Sequence, residues 1–181
     1  DVFYIEKDDR SSGIRVEMAG HELTAGQRAD VEGLTATNAD GERFIQASRA
    51  LQSSHPNGTG VIQPLSMANR SLGGGDLFYD PADGSGQKGV TGGTGVNNIG
   101  LLVRTWGVVT AVDPSSEPAW FTIDDGSGRN IRCVAVGGSL AINAGWQGSL
   151  LAVTGISSVK DAGSGPVSVI LLSPETPPAV L

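Results

Sequence analysis

The chain has 181 residues, enough for one domain or two small ones, and no apolar run approaches the roughly 18 residues a spanning helix needs. A formal net charge of −7 argues against nucleic acid as a partner, because such binding draws mostly on neutralised phosphates. Cys133 is the only cysteine, which excludes an internal disulfide, while 27 glycines and 9 prolines leave little room for long helices and point to an all-β chain rich in turns.

In chain order, residues 2–6 alternate as a half-buried strand requires, with Phe3 and Ile5 on one face and Tyr4 on the other. Polar turn residues, among them the solvated pair Asp8-Asp9, lead to a second short strand at 14–16. A third lies between Gly26 and Gly33 and a fourth near 43–47, so residues 1–50 form a first unit. Residues 51–99 differ in composition. His55-Pro56-Asn57-Gly58 and Gly73-Gly74-Gly75 bracket an apolar piece at 61–72, a glycine-rich run follows at 84–95, and the segment holds Ile62, Leu65, Met67, Leu72, Leu77, Phe78 and Tyr79. That is too apolar for a free tether, so the segment reads as an ordered glycine-rich connector packing on both units.

Residues 100–173 hold a second unit. It opens with a long strand at 101–112, where Gly107 suggests a bulge or sharp coil. Trp120-Phe121-Thr122-Ile123-Asp124 follows, then the hairpin turn Asp125-Gly126-Ser127-Gly128 and the strand Ile131-Arg132-Cys133-Val134. Phe121 and Ile123 face the core and Thr122 faces out. Two further strands lie near 148–155 and 167–172, and the Pro-rich residues 174–181 form a C-terminal arm that is a poor ladder strand.

The two units run in the same internal order. Phe3 matches Phe121, Ile5 matches Ile123, Ile14-Arg15 matches Ile131-Arg132, and the glycine pair 26 and 33 matches 148 and 155. The second unit, with its mid-strand glycine, F-x-I-D-D-G-S-G hairpin, I-R-C-V and G-x-x-x-x-V-x-G, resembles the OB-fold. More narrowly it resembles the OB-like repeats of large secreted or surface-associated bacterial proteins. The resemblance implies two small barrels and an extracellular or cell-surface location. It identifies a barrel and not its ligand, since OB-folds bind nucleic acid, glycan and protein alike. The first unit starts directly at its hairpin and lacks a counterpart of strand 101–112. The missing strand has three candidate sources: residues ahead of Asp1, an internal segment such as 61–65, or a neighbouring subunit. Because the chain begins at Asp1 without methionine, it reads as a processed product or a fragment.

Catalytic and metal-binding patterns are weak. Gly84-Ser85-Gly86-Gln87-Lys88-Gly89 satisfies G-x-G-x-x-G but follows a turn and leads into no helix, so it reads as a flexible loop. Asp76, Asp80, Asp83, Asp124 and Asp125 read as turn residues rather than calcium ligands. His21 and His55 read as exposed loop residues, and Cys133 as a small apolar strand residue. No metal, cofactor or catalytic group is expected. The candidate contact residues are Tyr4, Arg15, Arg104, Trp106, Trp120 and Arg132, as either a ligand-stacking face or a seal between units or subunits. Asn57 and Asn69 stand in glycosylation triplets.

Together these features suggest a non-enzymatic, extracellular structural protein. It would associate with itself head to tail through an open β edge, as in a filament. The alternative is an OB-like binding module for single-stranded nucleic acid or a glycan.

Overall fold

A computed structural model describes residues 1–54, 62–137 and 140–181 of the chain. The alternating stretches of the first unit become β1 (Val2–Glu6), β2 (Gly13–Glu17), β3 (Ala29–Thr37) and β4 (Arg43–Gln52). They form one sheet in the order β1-β2-β4-β3, with β2 and β4 parallel and the other two pairs antiparallel. The connector supplies β5 (Leu65–Ser66), β6 (Leu77–Asp80) and β7 (Ser85–Gln87).

The second unit consists of β8 (Leu102–Asp113), β9 (Trp120–Asp124), β10 (Ile131–Ala135), β11 (Leu150–Asp161) and β12 (Pro166–Leu172), followed by β13 (Ala179–Val180). These five long strands close into a barrel because β8 pairs on both sides. Its Leu102–Val108 half lies against β11 and its Val108–Asp113 half against β9. The parallel pair β10–β12 completes the circuit. The protein is therefore all-β, with one closed small barrel and one sheet that repeats its pairings without the first strand. Among the described residues the helical pieces are two three-residue turns, at Asn69–Ser71 and Ala144–Trp146. No described helix is long and apolar enough to cross a membrane.

The barrel core consists of the inward residues of each strand. Val103, Val109, Phe121, Ile123, Ile131, Cys133, Leu151, Val153, Ile170 and Leu172 form one buried cluster. Trp146 closes on Phe121 edge-on, with ring centroids 5.5 Å apart. At the other side the connector contributes Leu72 to the same cluster. Asn69 accepts the Thr105 hydroxyl at 2.8 Å and donates to the Ile123 carbonyl at 3.3 Å, both buried.

The connector touches both units. Gln87 donates to the carbonyl of Gly41 and accepts from Arg43 N–H in the β3–β4 turn, while the Ser168 hydroxyl of β12 donates to the Leu72 carbonyl. Its glycines let backbone pass directly against backbone: a Cβ at Gly89 or Gly93 would collide with Gly74. The sequence G-x-G-x-x-G thus lies in the β6–β7 hairpin and its exit, not in the flexible loop that its composition suggests. Gly107 is likewise not a bulge. The register shift of β8 falls between Val109 and Ala111, and Gly107 is required because a side chain there would meet the Asp124 backbone at 2.8 Å.

The first sheet also meets the barrel directly around Gly100 and Leu102. Gly13 and Gly100 approach so closely that a Cβ on either would strike the other's backbone. Beside them Leu102 is held at both polar groups: its N–H donates to Glu6 at 3.0 Å, and its carbonyl accepts from Arg10 at 2.8 Å.

The strand phase has a direct test. Phe121 is fully buried, so Phe121→Ala should cost about 3–5 kcal/mol in urea unfolding. Thr122 faces out and touches only the Thr110 hydroxyl at 2.7 Å among side chains, so Thr122→Ala should cost about 0.5–1 kcal/mol. Comparable losses at both positions would contradict the alternation.

Candidate functional site

β1 pairs only with β2, and β3 only with β4. Both outer edges of the first sheet are therefore unladdered among the described residues. Between them runs an open groove of about 1220 Å³, bordered by β1, by residues 23–30 leading into β3, and by Ser53, Ile62, Gln63 and Ile156. Its wall mixes apolar side chains with charges that neutralise one another: Arg10 pairs with Glu6, and Arg28 with Asp8. Asp8 is thus an ion-pair partner while remaining an exposed turn acid. His21 is not a free loop residue either. It lies against Phe3 with ring centroids 4.5 Å apart, and its Nδ1 is buried without a hydrogen bond.

Behind the opposite face of the same sheet lies Glu42, only 2% exposed. Its carboxylate accepts the Tyr4 hydroxyl at 3.2 Å and the Ser158 hydroxyl of β11 at 2.9 Å, and sits 3.6 Å from the Arg15 guanidinium. Burial pushes the Glu42 carboxyl above its ordinary 4.5, against the pull of Ser158, Arg15 and Tyr4. Burial, aided by the Glu42 charge, also pushes the Tyr4 hydroxyl well up. Tyr4 and Arg15 therefore fill a contact between the first sheet and the barrel.

They do not share a surface with the other contact candidates. On the barrel's outer face Arg132 stacks over Trp120, 4.2 Å from the ring centroid. Trp106, 52% exposed, lies with Arg104 along a shallow cleft beside Met67, Ala152 and Leu181. The six residues thus separate into one buried cluster and two outer patches. Asn69 is fully buried and hydrogen-bonded inside the barrel, which removes it as a glycosylation acceptor in the folded chain. Asn57 and His55 lie outside the described residues, as does Val61. Leu65 and Ser66 ladder with β8, not with the first sheet. The C-terminal arm folds back: Ala179 and Val180 pair with Ala152 and Leu151, despite the nearby prolines.

Four of the aspartates act as turn residues: Asp80, Asp83, Asp124 and Asp125 each accept the backbone N–H two residues on at 2.8–2.9 Å. Asp76 instead ties the connector to itself, accepting the Gly89 N–H at 2.8 Å. Cys133 is fully buried, and burial pushes its thiol up, away from reactivity. Glu42, Ser158 and Arg28 were not singled out in the sequence, and His21 only as an exposed loop residue. Glu42 follows a turn with no apolar periodicity around it, so only its tertiary neighbours mark it.

No protein-family model matches the chain, and no curated protein is similar to it at a significant level.

The Glu42 cluster makes a pH-dependent contribution. A carboxyl whose pKa is raised by folding stabilises most below its unfolded value, and that contribution fades as pH rises through the folded value. The stability of the native chain minus that of Glu42→Gln should therefore decrease from pH 4 towards neutrality, measured by urea unfolding at each pH. A difference that grows with pH would mean that the ion pair with Arg15 outweighs burial.

Proposed function

We propose that the protein is a non-enzymatic structural subunit of an extracellular assembly. It associates head to tail with further copies through the open edges of its first sheet. The observation that carries this reading is the pairing order β1-β2-β4-β3, which matches β9-β10-β12-β11 of the barrel, with no strand in the place of β8 among the described residues. Unpaired strand edges bordering an apolar groove are templates for another chain. One copy donates and the next accepts, so the contact is heterologous and propagates as a filament. The shared order of pairings also supports descent of the two units from one repeat, in keeping with the resemblance to OB-like repeats of bacterial surface proteins.

The non-enzymatic reading is supported by how the polar groups are used. Asp80, Asp83, Asp124 and Asp125 hold turns, Cys133 is sealed in the core, and Glu42 is spent on joining the two units.

A second reading rests on the outer barrel face, where the Arg132–Trp120 stack and exposed Trp106 offer rings to a base or a sugar. The net charge of −7 opposes the nucleic-acid form of it.

Light scattering over a concentration series, with negative-stain electron microscopy, tests the first reading. Particle size should rise with concentration, and a strand fused ahead of Asp1 by a flexible linker should hold the chain as a monomer. An unmodified chain that stays monomeric at high concentration overturns the assembly. Under the second reading, a single-stranded oligonucleotide would bind at physiological salt, more weakly in Arg132→Ala and with a shallower salt dependence. The acidic field leads us to expect no such binding.

A further inference from the structure

The barrel shows what fills the position that the first sheet leaves open. β8 crosses from β11 to β9, antiparallel to both, and its buried residues alternate as Val103, Thr105, Gly107 and Val109. Gly107 sits where the strand passes closest to the β9 backbone, and a Cβ there would lie 2.8 Å from Asp124. In the first unit β3 stands for β11 and β1 for β9, and the groove occupies the gap between them.

The lining of the groove bears on its guest. Among the described residues, the two buried side-chain polar atoms without a hydrogen bond, His21 Nδ1 and Arg28 Nε, belong to residues of its wall. The volume of about 1220 Å³ also exceeds the 300–1,000 Å³ typical of small-molecule pockets. Of the charged residues on the wall, Glu6 pairs with Arg10 and Asp8 with Arg28, while Lys7 and Asp30 also line the groove.

We infer that the groove between β1 and β3 accepts an extended polypeptide strand of the β8 type. It runs antiparallel to both edges, carries small residues at alternate inward positions, and has glycine at the crossing point. This rests on the reading of the open edge as a contact for another chain, and adds the direction and side-chain pattern of the guest. Its first half follows β3, as β8 follows β11. Its second half follows β1, presenting apolar residues to Ile5 and Phe3 as Val109 and Val112 are presented to Ile123 and Phe121.

The test uses a fluorescent peptide with the sequence of residues 102–113, titrated into the full chain and read by anisotropy. Saturable binding is expected. The same peptide with Gly107→Val should bind about tenfold more weakly or worse, because an added side chain at a close backbone approach forces the strands apart. A peptide of equal composition with inward and outward residues exchanged should not bind. A photocrosslinker in place of Val112 should attach to residues 2–6. Attachment to residues 120–124 would mean exchange into the barrel and would overturn the inference, as would equal binding of the exchanged peptide or no binding at all.

Light scattering run alongside separates the two readings. Peptide binding to a chain that is monomeric at every concentration keeps the strand slot and discards self-association. Self-association by a chain that ignores the peptide does the reverse.

Discussion

The architecture depends on how strand edges are satisfied. A β-strand presents main-chain donors and acceptors on both sides, and each side must find a ladder, a side chain or water. In the barrel, β8 settles this by being long enough to pair with β11 over one half and β9 over the other. Without it, β9 and β11 would both be edges. The first sheet is in that condition. Its four strands are ordered and paired among themselves, but among the described residues the circuit does not close.

An open four-stranded sheet with one apolar face has a weak core of its own. In the first unit Val16 and Ala50 are the apolar strand residues that become fully buried, whereas the barrel buries a cluster of fourteen residues. The first sheet is instead held by what it leans on. Leu102 is gripped by Glu6 and Arg10, Gly13 meets Gly100 backbone to backbone, and Glu42 gathers Tyr4, Arg15 and Ser158. These are polar and steric contacts, directional where apolar burial is not. They fix the orientation of the open groove relative to the rigid barrel. The Lys160–Asp40 pair, at 2.9 Å, adds a more exposed tie two residues beyond Ser158 on β11.

The connector shows why glycine is abundant here. Backbone of residues 73–75 lies directly against backbone of residues 89 and 93, and the amides of Asn97 and Asn98 satisfy the carbonyls of Gly75 and Ser71. Such packing needs small residues and side-chain amides that stand in for ladder bonds. Composition alone suggests a flexible loop in part of this segment, because glycine that permits close approach and glycine that permits motion look the same in a sequence.

The sequence by itself determined the all-β class, the strand phase at Phe121 and Ile123 and the hairpin at 125–128. Each of these follows from local patterns: period-2 alternation, positive-φ turn residues and the spacing of glycines. Only the tertiary structure decided that Tyr4 and Arg15 are enclosed with Glu42 while Trp120 and Arg132 stay outside, that Asn69 is a barrel plug, and that His21 and Arg28 share a wall. In the strand pattern Tyr4 and Thr122 are equivalent outward positions. One is enclosed and the other is not because β11 of the barrel lies against only one of the two sheets' outer faces, and contacts between residues more than a hundred positions apart leave no periodic trace along the chain.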